Sequence, residues 1–303
     1  MNNPVPWPGF FIVGAAKAGT TFVWARLRQH PDLFLPEKKE FHYFSRVTPA
    51  AGQRLTIQAV PDEGKYLRHF QPAPRTALTG EASTSYLWEP GTARRIRECV
   101  PEARILIVLR NPVDRAFSHY RMDVALGIQP LDFQSAILED RAKDEKGWGI
   151  SHLYFELGLY AEQIERYLAV FPKSQIQILY APDLAMQPEE ALSSVCTFLG
   201  VDPARLPPGG PSGEDNAYRI GRNVLVRWLW RQQALRYAGL RLVPKPLRLA
   251  LKRRWMDPSH EAPAIDSRTS AWLAGLYEPS QKRLETLLGP EAHCLRKSRF
   301  APV

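Results

Sequence analysis

The segment Phe10-Phe-Ile-Val-Gly14-Ala-Ala-Lys17-Ala-Gly19-Thr20-Thr21 constrains this chain more than any other. An unbroken apolar run closed by a glycine reads as a strand buried on both faces. The small residues after it permit close backbone approach, and Thr20 opens an amphipathic stretch that ends before Pro31. A strand, a small-residue loop and a helix start together present backbone N–H groups and the positive helix end to an anion. The segment therefore predicts a phosphate or sulfate cradle. Gly14 and Gly19 have the Gly-x4-Gly spacing of an NTPase P-loop, but Thr20 stands where that loop has its lysine, and Lys17 lies inside it.

The same alternation continues along the chain. Phe10–Gly14, Ala77–Ala82, Arg104–Arg110 and Gln175–Tyr180 read as strands. Thr20–Gln29, Asp114–Leu126, Leu159–Phe171 and Pro188–Leu199 read as helices, each stopping at a proline or glycine. Strands that alternate with helices predict an α/β fold: a P-loop-like three-layer domain with a central parallel sheet flanked by helices. With no internal repeat, the chain is expected to form one domain over 1–303, with a basic lid or insertion at 212–260 and a further helix or two in Ser267–Leu288.

The strand Ile105–Leu109 ends in Arg110-Asn111-Pro112. A nucleoside triphosphate site usually has an acidic residue near such a strand end to hold Mg²⁺. A cation there calls for an anion, which disfavours a P-loop small-molecule kinase and predicts a site that requires no metal.

These residues resemble a known family, the sulfotransferases that use 3′-phosphoadenosine 5′-phosphosulfate (PAPS), and the pattern looks like the bacterial, carbohydrate-type (heparan-type) branch. The family's 5′-phosphosulfate loop, Pro/Gly-x-x-Lys-x-Gly-Thr-Thr, is matched by Gly14 to Thr21. Its 3′-phosphate site is an apolar strand ending in Arg, then Asn-Pro, then Ser, and is matched by Arg110, Asn111, Pro112 and Ser118. The resemblance covers roughly Pro8 to Gly200. It implies PAPS as co-substrate, with Lys17, Ala18, Gly19, Thr20 and Thr21 around the phosphosulfate and Arg110 and Ser118 on the 3′-phosphate. Tyr218-Arg-Ile-Gly221-Arg222 is similar to a glycine-and-basic loop that closes over the 3′-phosphate, and implies Gly221 and Arg222.

Sulfuryl transfer also needs a base for the acceptor. The family's Glu-x-His-Phe-Phe motif is matched with one substitution by Glu40-Phe-His42-Tyr-Phe44, which implies Glu40 as base and gives His42 a catalytic role. If the run is extended, Glu40, His42 and Phe44 share one face. The alternatives are that Glu40 is a solvated partner of Lys38 or Lys39 and that His42 is a packed histidine. Glu81 is a reserve base or a structural ion-pair member. Ala82 replaces a lysine that helps at the active site of the animal glycan enzymes, so a two-lysine site is not expected. Tyr180 is either near the nucleotide or in the core.

Charge narrows the remaining classes. The net +9 is local, because 216–256 holds eleven Lys or Arg and no acid, and the rest of the chain carries −2. That Trp-bearing segment suits a lid over an acidic ligand, a peripheral membrane contact or an ordinary solvated helix. It does not by itself predict nucleic-acid binding. Three scattered cysteines and the lack of a signal-like start predict a cytoplasmic enzyme. The expected acceptor is a hydroxyl, or an amine, on a small molecule, saccharide or lipid. A noncatalytic nucleotide- or membrane-surface-binding protein is the rival from another class.

Overall fold

The computed structural model describes residues 7–47, 59–74, 76–209, 220–221, 256–257 and 263–298. Five parallel strands form its centre: β1 (Phe10–Gly14), β2 (Leu33–Phe34), β3 (Leu78–Ala82), β4 (Arg104–Leu109) and β5 (Ile176–Tyr180), in the order β2-β3-β1-β4-β5. β1 is buried along its whole length and β4 everywhere except Arg104, as continuous apolar runs require when helices cover both faces of a parallel sheet. The predicted α/β class is therefore observed.

The helices are α1 (Thr20–Leu27), α2 (Glu63–Leu67), α3 (Ser85–Trp88), α4 (Thr92–Cys99), α5 (Pro112–Ala125), α6 (Phe133–Ala142), α7 (Tyr160–Leu168), α8 (Ala181–Met186), α9 (Pro188–Leu199) and α10 (Ser267–Leu288). By mutual contact α1 groups with α8 and α9, while α3, α4 and α7 are joined through α10 to α5 and α6. Predicted boundaries shift by one to three residues where caps decide the ends. α5 starts at Pro112 because the Asn111 side chain accepts from the Asp114 amide and proline fits the first helical position. α9 ends at Gly200, which takes the left-handed conformation that closes a helix.

Two apolar clusters hold the site in place. The larger joins the sheet to Leu192, Val195 and Leu199 of α9, Tyr160 and Ile164 of α7, and Leu284 of α10. The second clamps α5 through Val113, Phe117 and Tyr120 against Phe133, Ile137, Leu273 and Tyr277. α10 is thus a load on both clusters, and its packing fixes the start of α5 beside Arg110. Of the basic 216–256 segment only short pieces are described: Ile220–Gly221 pairs antiparallel with Met256–Asp257. Arg222 and the rest of the expected lid lie outside the described residues.

Candidate active site

β1 and β4 are neighbours, yet the chain leaves β1 toward β2 and β3 on one side and only then crosses to β4 on the other. Such a reversal opens a crevice beyond the strand ends, where α/β sheets hold their ligands. Both cationic signatures sit there. Lys17 follows β1 and Arg110 follows β4, the Ala15 amide donates to the Val108 carbonyl at 2.7 Å, and Arg110 Nη1 donates to the Lys17 carbonyl at 3.3 Å.

The loop takes its shape from three residues with positive φ, Gly14 (158°), Lys17 (69°) and Gly19 (109°). A Cβ at Gly14 would lie 2.7 Å from the Leu87 Cβ, so α3 can approach only a glycine there. Gly19 caps α1, and no side chain closes that helix start. The Ala18 amide is directed back to the Ala15 carbonyl at 3.2 Å, a bond within the loop itself. Lys17 Nζ lies 3.5 Å from Met122 Sδ of α5. Burial lowers the Lys17 pKa; Asp123 opposes the effect and Arg110 adds to it.

Ala18, Gly19, Arg110 and Asn111 line a cavity of about 760 Å³ that extends to Pro182 and Met186 beyond β5. Its far wall carries the Arg26–Glu189 ion pair, at 3.0 Å, between α1 and α9. Lys297 lines the same cavity. It is brought there by Asn111 Nδ2, which donates to the Leu295 carbonyl at 2.8 Å, and by a hydrogen bond from the Ser298 hydroxyl to Asp114. Ser118, half-buried on α5, is not among the residues lining this cavity. Tyr180 is buried in the main core cluster at the end of β5.

The run from Lys38 to Phe44 is not extended, which was the condition for Glu40, His42 and Phe44 to share one face. Glu40 and His42 take left-handed φ of 64° and 54°, so strand alternation does not apply. The segment is instead pinned to β3 and the turn after it. The Glu40 amide donates to the Ala82 carbonyl at 2.9 Å, the His42 amide to Ser83 Oγ at 3.1 Å, and the Phe44 amide to the Tyr86 hydroxyl at 3.2 Å. Phe44 goes into the core with Phe11 and Tyr86, away from the polar pair.

Glu40 keeps a third of its side chain exposed and gathers three partners: Lys39 Nζ at 3.5 Å, His42 Nε2 at 3.4 Å and the Thr84 hydroxyl at 3.2 Å. His42 is buried, with Nδ1 2.7 Å from Ser85 Oγ. The Ser85 hydroxyl donates to Ser45 Oγ, and the Ser45 hydroxyl donates to the His42 carbonyl. Those donations leave the Nδ1 proton to bond Ser85, so Nε2 is the nitrogen that faces Glu40. Burial lowers the His42 pKa, and Glu40 pulls the other way. Lys39 reaches past Glu40 to the loop, with Nζ 3.0 Å from Thr20 Oγ1 and 2.9 Å from Thr21 Oγ1.

Neither Glu40 nor Glu81 lines the cavity, and Glu81 is also cut off from solvent. It is fully buried under three hydroxyl donors, Tyr66 at 2.7 Å, Tyr86 at 3.0 Å and Ser83 at 2.5 Å, a supporting post rather than a base within reach of an acceptor.

On the other side of Lys17, Asp123 accepts from the Tyr154 hydroxyl at 2.8 Å and lies 2.8 Å from His152 Nδ1, with His119 Nε2 at 3.8 Å. Burial pushes His119 down to about 3, so it is neutral at ordinary pH. Sequence reading missed Lys39, Lys297 and this Asp–His group. Lys39 had a signal in its adjacency to Glu40. The others come together only through the fold.

The model of the sulfotransferase domain matches residues 8–208. A sulfotransferase structure from Alicyclobacillus acidocaldarius superposes with a TM-score of 0.72 at 30% identity, covering 97% of this chain and all of that one. The membrane-associated sulfotransferase kil1 of Dictyostelium discoideum is 22% identical over 64% of this chain and 56% of its own length. The human bifunctional heparan sulfate N-deacetylase/N-sulfotransferase 2 is 28% identical over 65% of this chain and 22% of its own length. The chain thus spans little more than half of the first of these curated relatives and about a fifth of the second. With the anion loop after β1 and the arginine after β4 both inside the matched region, the chain belongs to the sulfotransferase family.

Proposed function

We propose that this chain transfers the sulfuryl group of PAPS to a hydroxyl acceptor, leaving adenosine 3′,5′-bisphosphate (PAP). The observation that carries the reading is the juxtaposition of Lys17 and Arg110 just beyond the ends of adjacent strands at one switch point, where Arg110 and the loop residues Ala18 and Gly19 line a cavity large enough for a nucleotide. PAPS carries a 5′-phosphosulfate and a separate 3′-phosphate, and the crevice offers one cationic cradle for each. Lys17 with Gly19, Thr20 and Thr21 takes the first. Arg110 takes the second, with Ser118, Gly221 and Arg222 as further candidates from the family pattern. Charge-assisted hydrogen bonds of this kind contribute about 1.5–3 kcal/mol each.

The chemistry needs electrostatics and one base. The acceptor oxygen forms a bond to sulfur while the bond from sulfur to the bridging phosphate oxygen breaks, and that electron pair stays on the phosphate. Lys17 neutralises the charge that grows there. Glu40, partly exposed beside Lys39 and the Thr20–Thr21 loop, receives the acceptor proton, its carboxylate oriented by the Thr84 hydroxyl that donates to it at 3.2 Å. A saccharide acceptor is favoured by relatives named for heparan sulfate. A lipid or small molecule, an amine acceptor, and membrane contact through the basic Trp-bearing segment belong to the same proposal. Among the described residues no helix is long and apolar enough to cross a membrane. The three cysteines are all free, which suits a reducing, cytoplasmic setting.

The test is to incubate the protein with ³⁵S-labelled PAPS or with ATP and Mg²⁺, each with and without excess EDTA, over a panel of saccharide, phenol, amine and lipid acceptors. Transfer of label that survives chelation is expected. ATP-dependent phosphorylation abolished by EDTA would mark a kinase, and PAP binding with no turnover on any acceptor would mark a noncatalytic binding protein; either result overturns the proposal.

A further inference from the structure

Sequence left the site with one lysine, because position 82 is alanine. The structure brings a second from another element. Lys39 Nζ sits on the hydroxyls of Thr20 and Thr21, at 3.0 and 2.9 Å, and 3.5 Å from Glu40 Oε1. Its side chain is only 14% exposed. An ammonium so withdrawn from water needs strong acceptors, and two neutral hydroxyls with one carboxylate beyond ordinary hydrogen-bond length are weak compensation. The loop on which it rests is the anion cradle. Lys17 approaches that loop from the α5 side, beside Met122, whereas Lys39 approaches from the β3 side, beside Glu40. The two ammoniums therefore flank the same loop, with the carboxylate next to Lys39.

We propose that Lys39 is a second catalytic cation that binds the non-bridging oxygens of the sulfuryl group. The inference rests on the PAPS reading above and deepens it. As the acceptor–sulfur bond forms and the sulfur–oxygen bond to the 5′-phosphate breaks, Lys17 meets the charge on the departing phosphate. Lys39 meets the charge on the sulfuryl oxygens. The acceptor proton goes to Glu40, whose carboxylate Lys39 holds beside the transferring group. Thr20 and Thr21 keep the ammonium in position until the donor arrives. Lys39 also separates donor from product: PAPS has the sulfuryl oxygens and PAP does not.

That difference supplies a test that needs no acceptor. Calorimetric affinities for PAPS and for PAP are measured on the wild type, Lys39→Gln, which keeps a hydrogen-bond donor without the charge, and Lys39→Arg. Lys39→Gln is expected to weaken PAPS by about 10- to 100-fold, the loss of one charge-assisted hydrogen bond, and to change PAP by less than about 2-fold. Lys39→Arg should recover most of the PAPS affinity. Equal losses for PAPS and PAP, or no loss for either, would overturn the role; thermal melts of each variant identify an equal loss that comes from misfolding, and Lys39→Met then repeats the comparison. A wild-type protein that binds PAP and PAPS but never transfers label defeats the function proposed above, whereas an active wild type with an indifferent Lys39→Gln defeats only this inference.

Discussion

Glu81→Gln tests the buried post beneath the candidate base. Glu81 is 1% exposed, and its carboxylate accepts from Tyr66, Tyr86 and Ser83. Those bonds favour the ionised form and burial favours the neutral one; burial wins, raising the pKa from 4.5 to about 7. The folded protein therefore keeps this proton to higher pH than the unfolded chain does. Between pH 4.5 and about 7 it binds more protons than the unfolded state, so the Glu81 contribution to stability is largest at acid pH and declines as pH rises. At 1.36 kcal/mol per pH unit, a shift of that size corresponds to about 3 kcal/mol across the window. Glutamine does not titrate. The wild-type advantage over Glu81→Gln, read from urea unfolding at pH 5, 6, 7 and 8, is expected to shrink with rising pH by about 2–3 kcal/mol, all other groups cancelling in the difference. A difference that stays constant, or widens with pH, would refute the reasoning. Catalysis supplies a second readout. Ser83 and Tyr86 donate to Glu81 and keep their lone pairs for the His42 and Phe44 amides. An amide at position 81 turns one of those hydroxyls around, so kcat should fall while PAP affinity holds.

Lys17→Met should lower kcat by about 10²- to 10³-fold, as removal of a transition-state donor does. Because burial and Arg110 depress the Lys17 pKa while Asp123 raises it, activity should fail on the alkaline side below pH 10.5. Asp123→Asn should move that limb lower still in a kcat–pH profile, and an unmoved limb would count against Lys17 as the titrating group. Gly19→Ala meets nothing nearer than Leu184 Cδ1 at 4.0 Å, so its cost is backbone strain at φ 109°, about 1–2 kcal/mol by urea titration. Gly14→Ala should cost more, because the new methyl meets the Leu87 Cβ at 2.7 Å and α3 has to move.

The local half of the site was legible because its parts are contiguous in the chain. A buried strand followed by small residues and Lys17, and another ended by Arg110, carry their placement with them once the strands are parallel. Lys39 was read only as a surface partner of Glu40, since its contact with Thr20 depends on two left-handed residues and on the lodging of the segment against Ala82. Non-glycine residues with positive φ are uncommon, and no pattern announced them at Glu40 and His42. Glu81 reads in sequence as a reserve base or an ion-pair member because Gly80 to Tyr86 resembles the family's next block. Only the packing of Tyr66, which arrives from the separate helix α2, reveals it as buried. Lys297 is further still from any motif, and it reaches the cavity because Asn111 holds the Leu295 carbonyl.

The central claim is that two separate protein cations grip the two anionic ends of one nucleotide. Arg110→Ala measured against PAP and against adenosine 5′-phosphate, which lacks the 3′-phosphate, addresses it most directly. The wild type should prefer PAP by about 10- to 100-fold, the equivalent of one or two charge-assisted hydrogen bonds, and the variant should bind the two nearly alike, with its affinity for adenosine 5′-phosphate unchanged. An undiminished preference for PAP in Arg110→Ala, or equal losses for both nucleotides, would contradict the claim.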